Sequence, residues 1–313
     1  VPDHLRTDPG ISVHDQTAHA DRLLAALLPP VSSELRDEPP RWAYFPWRHT
    51  LVKIPGPQSY RRLRLDRNRH KLTSDEQSRA ADLRIGVVGL SVGHAIALTL
   101  TLEGLAGELR LADFDDLEIT NMNRVPTSIV DLGVNKSVAA SRRISEIDPY
   151  MRVTPFTKGI TEANIEAFVD GLDIVIEECD SFDVKVRIRE VCRARGIPVL
   201  METSDGGTLD VERFDLEPAR PLFHGLVGDI RADSLASLDR AAATALAAAI
   251  LEPAKVTPHM AASALELGRT VTAWPQLGGD VLLGGATVAA AVRRVVQSRP
   301  LRSGRVRFDR DRW

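Results

Sequence analysis

The sequence predicts an α/β chain built on a doubly wound, mainly parallel sheet, and three observations carry that expectation. From Leu83 the chain alternates strand-like and helical segments at a regular beat. Two of the strand-like runs, Ile85–Gly89 and Ile174-Val175-Ile176, are apolar without alternation, as strands covered on both faces are. A glycine-containing turn, Gly89-Leu90-Ser91-Val92-Gly93, joins the first of them to a helix, as in nucleotide-binding βαβ units.

Taken in order, residues 1–62 read as a proline-rich arm, with Pro29-Pro30, Pro39-Pro40, Pro46, Pro55 and Pro57. Thr17 to Leu28 carries Leu23, Leu24, Leu27 and Leu28 at helical spacing and predicts one short helix; the rest reads as irregular wrapping. Strands are expected at 83–89, 108–113, 152–158, 173–178 and 198–203, with helices at 93–104, 135–147, 161–170 and 183–195. Gly171 and Gly196 supply helix stops. Beyond Ser204 the beat changes. Asp205-Gly206-Gly207 reads as a turn, and Thr208–Phe214 alternates like a half-exposed antiparallel strand. Ala241–Leu251 and Val256–Leu267 read as helices, and Gly284-Gly285 as the lead into a last amphipathic helix ending near Gln297. Residues 63–300 thus form a nucleotide-binding domain with an antiparallel extension and Ala/Gly-rich C-terminal helices. Residues 301–313 are a tail or a linker to a further domain.

Composition narrows the function. With 43% apolar and 27% charged residues over 313, a folded domain with ample core is expected. The net charge of −3 gives no electrostatic case for nucleic acid or an anionic membrane. No apolar run approaches the ~18 residues of a membrane span, and the N-terminus lacks signal-peptide order, so a cytoplasmic protein is expected. Two cysteines, Cys179 and Cys192, build neither a disulfide framework nor a four-thiolate zinc site; no structural zinc is expected. Both read as core thiols, and His224 and His259, lacking evident partners, as structural.

The chemistry concentrates between Gly89 and Asp180. A glycine turn entering a helix lets backbone N–H groups approach phosphate, although two glycines also serve tight strand–helix packing. Asp113, with Asp115 and Asp116, ends the second strand, where a carboxylate accepts from ribose hydroxyls; a solvated turn is the alternative. Asn121, Arg124 and Lys136 follow, and Asp180 closes the fourth strand. Arg124, Lys136 and Asp180 are expected at an exposed sheet edge. Two cations and a carboxylate there suit phosphoryl or nucleotidyl transfer, with the carboxylate holding Mg²⁺ on a triphosphate. Hydride transfer needs none of them. The other reading of Arg124 and Lys136, taken singly, is as surface charges.

The series Val88-Gly89…Gly93, Leu111-Ala112-Asp113-Phe114-Asp115, Asn121-x-x-Arg124, Lys136 and Glu178-Cys179-Asp180-Ser181 resembles the ThiF/MoeB family, relatives of ubiquitin-activating enzymes. The resemblance covers about residues 64–300. It implies an ATP-binding adenylyltransferase domain that activates a carboxylate with ATP and Mg²⁺, acting as a homodimer. The carboxylate would be the C-terminus of a small carrier protein or peptide, or a small acid. Gly89, Ser91, Gly93, Asp113, Asp115 and Asn121 would bind the nucleotide, Arg124 and Lys136 its phosphates, and Asp180 the metal. Asp66-Arg67-Asn68-Arg69-His70 resembles the family segment that reaches into the partner's site, making Arg69 a candidate arginine finger in trans. The resemblance also implies, as alternatives, a dehydratase activating a carboxylate-bearing tRNA nucleoside, or an eroded scaffold that no longer turns over ATP. Some relatives are fused to a flavin nitroreductase-like domain. Here the usual Gly-x-Gly-Gly-x-Gly loop has become Gly89-Leu90-Ser91-Val92-Gly93-His94, Val125 replaces a Gln and Ser181 an Asn. The family's Cys-x-x-Cys pairs are absent, and no cysteine beyond Cys192 offers a thioester.

Overall fold

A computed structural model describes residues 3–203, 207–235, 240–252 and 257–308, in two compact units. The first runs through Ser74 and takes in Asp148–Tyr150, past the end of the arm expected at residue 62. It is not irregular wrapping. Helices α1 (Asp3–Thr7), α2 (Thr17–Ala25), α3 (Ser33–Arg36) and α4 (Pro57–Arg64) accompany strands β1 (Ser12–Asp15), β2 (Arg41–Phe45) and β3 (Thr50–Ile54). The strands form a sheet of order β1-β3-β2, with β1 parallel and β2 antiparallel to β3. Leu24 and Leu51 supply its core, and Arg64 pairs with Asp148 at 2.7 Å. The proline pairs obscured this sheet because they flank its short strands without entering them.

The second unit begins on α5 (Ser74–Asp82) and holds a sheet of order β10-β9-β8-β7-β4-β5-β6. Strands β4 (Arg84–Val88), β5 (Glu108–Ala112), β6 (Arg152–Phe156), β7 (Ile174–Glu177) and β8 (Val199–Thr203) are mutually parallel, in the places expected. Their crossovers carry α6 (Gly93–Glu103), α7 (Lys136–Ile147), α8 (Ile165–Val169) and α9 (Phe182–Arg195). Every residue of β7 is buried, as the unbroken apolar run requires. Strand order departs from β4 in opposite directions, to β5 on one side and β7 on the other. Beyond the carboxyl ends at such a switch point is where open α/β sheets bind ligands.

Two antiparallel strands extend the sheet. β9 (Thr208–Glu212) pairs antiparallel with β8 as expected, but it is not half-exposed: Leu209 to Glu212 are all buried, and β10 (Gly304–Arg307) pairs with β9 on its other side. Of the residues read as a tail or linker, Gly304–Arg307 therefore supply the sheet's edge strand. Helices α10 (Arg240–Leu251) and α11 (Pro258–Glu266) match expectation; the turn at Asp205-Gly206 and the start of the second helix at Val256 lie outside the described residues. Gly284-Gly285 does not precede the last helix. Both lie inside α12 (Gly278–Val296), where a Cβ on Gly284 would come within 2.4 Å of the Glu202 carboxylate and one on Gly285 within 2.9 Å of the Ala95 carbonyl. These glycines let α12 approach β8 and α6 closely. No helix of the described residues is long and apolar enough to cross a membrane.

Burial in α6 carries a pH consequence. His94 is 1% exposed and neither ring nitrogen has a partner. Burial, with a smaller effect of Arg143, lowers its pKa to about 4. The unfolded chain therefore binds this proton more readily, and stability falls as pH drops from about 6.5 towards 4. The full effect is about 3 kcal/mol. Urea unfolding across this range should show the loss in the native protein and a smaller one in His94→Phe; equal slopes would exclude His94 as the source.

Candidate functional site

The residues singled out between Gly89 and Asp180, all in the second unit, converge at the carboxyl ends of β4, β5 and β7. Gly89 leaves β4 with φ +84°, and a Cβ there would sit 2.6 Å from the Cys179 amide nitrogen. Only glycine fits both the angle and the space. Gly93 opens α6, and a side chain on it would meet Val87 at 2.6 Å. The turn is thus tight for packing reasons, and the amides of Gly89, Leu90 and Gly93 are already bonded to the Ala112 carbonyl, Asp113 and the Gly89 carbonyl.

Asp113 is buried and fixes this turn. Its Oδ2 accepts from the Leu90 amide at 2.7 Å and its Oδ1 from the Asp115 amide at 2.8 Å. Burial raises its pKa against those two bonds and the charge of Lys136. Asp115 is the half-exposed acid, paired with Lys136 Nζ at 2.8 Å. Lys136 is buried, contrary to the expected exposure, and begins α7, where a cation opposes the helix dipole. Asp115 offsets that conflict. Asn121 is buried too; its side chain accepts from the Glu118 amide at 3.0 Å in a capping box that shapes the loop before Arg124.

Arg124 reaches back over the glycine turn. Its Nη2 donates to Ser91 Oγ at 3.0 Å, while Nη1 donates to the Thr120 carbonyl and Asn123 Oδ1, both at 3.0 Å. Nε is buried with no partner. Burial lowers the Arg124 pKa, and the Asp180 carboxylate acts in the opposite direction. Asp180 itself is exposed. A cation with an orphaned donor, a half-buried hydroxyl at a helix start and an exposed acid nearby make a cradle suited to a nucleoside triphosphate. No group of three or more His, Cys, Asp or Glu that could hold an ion occurs among the described residues. A Mg²⁺ arriving on the triphosphate needs only one or two carboxylates.

Arg69 lies in the first unit, where it bonds the Leu28 carbonyl and Asp66, the latter at 3.3 Å. Cys192 is fully buried, and burial pushes its thiol up to about 12. Cys179 is half-buried and also held well above its ordinary value by burial and the Glu177 charge. Neither is a ready thiolate. His224 does have partners. It bonds Asp210 at 2.7 Å and Arg220 at 2.8 Å, from a backbone with positive φ, and the sequence could not show these contacts. His259 is exposed on α11.

Sequence reading missed three supports. Asn135 donates to the carbonyls of Asp113 and Asp115, both at 3.1 Å, and accepts from the Ser137 amide at 3.0 Å. An Asn just before a helix is a recognisable cap signal. Asn123 donates to the Gln276 carbonyl at 2.8 Å, which ties the Arg124 loop to the start of α12. Glu177, Lys185 and Arg189 form a buried ionic cluster beneath the Asp180 turn, with no sequence signal.

The model of the ThiF family matches residues 65–265. The chain is 51% identical over 309 residues, 99% of its length, to the uncharacterized protein MT1398 of Mycobacterium tuberculosis, covering 43% of that protein. It is 34% identical over 133 residues, 42% of its length, to the tRNA threonylcarbamoyladenosine dehydratase of Escherichia coli, covering 49% of it. The chain thus spans less than half of either relative. Among solved structures, that of E. coli MccB with ATP superposes with a TM-score of 0.56 at 18% identity, covering 83% of this chain and 71% of that one. That likeness concerns the fold; the family match and the residues gathered at the switch point agree, and the chain belongs to the ThiF family.

Proposed function

We propose that this protein is an adenylyltransferase that activates a carboxylate with ATP·Mg²⁺ and releases pyrophosphate. The observation carrying the proposal is Arg124, latched over the glycine turn by Ser91 with Nε unpartnered and Asp180 acting on it. A scaffold that only held a dinucleotide would have no use for a half-buried guanidinium with an unpartnered Nε there. In this reading the Gly89–Gly93 turn and the start of α6 receive phosphate through backbone N–H groups. The Ser91 hydroxyl, already accepting from Arg124, keeps its own hydrogen for a phosphate oxygen and compensates for the missing loop glycines. Asp113 and Asp115 line the ribose, and Asn121 shapes the phosphate loop.

In the reaction, an oxygen of the substrate carboxylate attacks the α-phosphorus. A new P–O bond forms, the bond to the bridging oxygen breaks, and pyrophosphate leaves with that electron pair. Arg124 and Lys136 neutralise the charge that builds on the phosphates. Asp180 would hold a Mg²⁺ bound to the triphosphate, which would supply further neutralisation of phosphate charge. The acyl substrate is a carrier-protein or peptide C-terminus or a small acid, and the protein works in the cytoplasm. The dehydratase relative supports a second reading, a tRNA nucleoside as the carboxylate; the net charge of −3 weighs against it. Pyrophosphate release, screened against carboxylates, carrier peptides and tRNA, separates these. Calorimetry should find ATP·Mg²⁺ bound more tightly than NAD, and tight NAD binding without ATP binding would end the adenylation reading.

We further propose a homodimer in which Arg69 of each chain serves the other's site. Mixing Arg69→Ala chains with Asp180→Ala chains, each inactive alone, should restore a fraction of native activity, because the heterodimer keeps one intact site. No recovery after demonstrated subunit exchange would remove Arg69 from that role.

A further inference from the structure

The turn that presents Asp180 is gripped from below by a buried carboxylate. Glu177 ends β7 and is fully buried, whereas Asp180, three residues on, is exposed. Glu177 Oε1 accepts from the Cys179 amide at 2.8 Å, from its thiol at 3.1 Å and from Lys185 Nζ at 3.0 Å. Oε2 accepts from Lys185 Nζ at 3.2 Å and Arg189 Nη1 at 2.6 Å. Arg189 continues to Glu212 on β9 at 2.5 Å, and its guanidinium stacks 4.0 Å from the centroid of the Phe223 ring.

Burying such a cluster is expensive, and apolar residues of similar volume would support the sheet as well. What an apolar core could not do is accept the Cys179 N–H. A charged acceptor makes that bond about twice as strong as a neutral one. The bond lies where the chain leaves β7, immediately before Asp180. Burial opposes ionisation of Glu177, but Lys185 and Arg189 outweigh it and hold the carboxyl below its ordinary range, so the acceptor stays charged. Lys185 stands in the first turns of α9 and its amide bonds the Ser181 carbonyl at 2.9 Å, which joins the far end of the same turn to the cluster.

We propose that Glu177, with Lys185 as its counter-ion, is a positioning residue for nucleotide activation: it fixes the Cys179–Ser181 turn and so the direction in which Asp180 meets the triphosphate. This rests on the adenylation reading. The test uses the full chain and two probes, ATP with Mg²⁺ and AMP without metal, bound to the native protein and to Lys185→Met, Lys185→Arg and Asp180→Ala. Lys185→Met should weaken ATP·Mg²⁺ about 10-fold, one decade of equilibrium constant, with AMP affinity kept within about twofold. Lys185→Arg should recover to within about threefold of native. Asp180→Ala should reproduce the Lys185→Met pattern. If Asp180→Ala weakens ATP·Mg²⁺ and Lys185→Met does not, the positioning role falls while the adenylation reading stands. Equal losses for AMP and ATP·Mg²⁺ in Lys185→Met would mean general damage and would also overturn it. If Asp180→Ala has no effect, the assignment of Asp180 itself fails. Lys185→Gln removes the counter-charge while keeping a polar side chain that is easier to bury, and covers a Lys185→Met chain that does not fold; an ATP·Mg²⁺ affinity equal to native in that variant would overturn the proposal.

Discussion

Asp180→Ala and Arg124→Ala should each lower pyrophosphate release by about 10²-fold or more while leaving the chain folded. Asp180 is exposed, so its removal leaves no buried partner behind. Arg124 donates to Ser91, Thr120 and Asn123, and each of these acceptors lies where water can replace the guanidinium. Both variants should therefore unfold near the native midpoint while losing turnover. Lys136→Ala differs, because Lys136 is buried against Asp115. It should lose turnover to the same order and some stability with it. Circular dichroism and urea midpoints, measured beside turnover on the substrate found by the screen, decide the matter; near-native turnover in Asp180→Ala and Arg124→Ala would remove both residues from the site.

The largest loss of stability is expected at Arg189. Its guanidinium is fully buried between Glu177 at 2.6 Å and Glu212 at 2.5 Å. Arg189→Met should cost about 3–5 kcal/mol, because it strands a buried carboxylate and does not merely delete an attraction. Glu177 keeps Lys185, so the stranded group is Glu212, whose remaining bond is from the Phe223 amide at 2.7 Å. Adding Glu212→Gln, which still accepts from Phe223 while losing its charge, should recover at least about 1 kcal/mol. Urea unfolding of the native, single and double variants measures both changes. A single variant as stable as the native protein would show that the ion pairs contribute nothing net.

The parallel core and its glycine turn were legible because their signals are local. An apolar run of strand length, a glycine at the turn and an acid at the next strand's end fall within a few dozen residues. The sheet of the first unit was not legible, since β1 pairs with β3 over four exposed residues with no alternation to report it. Nor was β10, whose partner strand lies almost a hundred residues earlier and whose Arg305 reaches Asp210 across a separation of 95 residues. Gly284 and Gly285 misled for a related reason. In sequence they look like a helix break, and only the neighbouring carboxylate of Glu202 and carbonyl of Ala95 explain why a helix keeps them.

By itself, the sequence determined the family, the succession of strands and helices along the chain, and the residues that could meet a nucleotide, because motif spacing and apolar periodicity are properties of neighbours along the chain. The tertiary structure alone decided how those residues are used. It turned Asp113 inward to hold the glycine turn, left Asp115 to pair with a buried Lys136, and laid Arg124 across Ser91. It also gathered Glu177, Lys185, Arg189 and Glu212 from β7, α9 and β9 into one buried cluster. Whether a charged side chain is solvated, paired or left short of a partner depends on which strands lie side by side, and strand order is set by packing over the whole sheet.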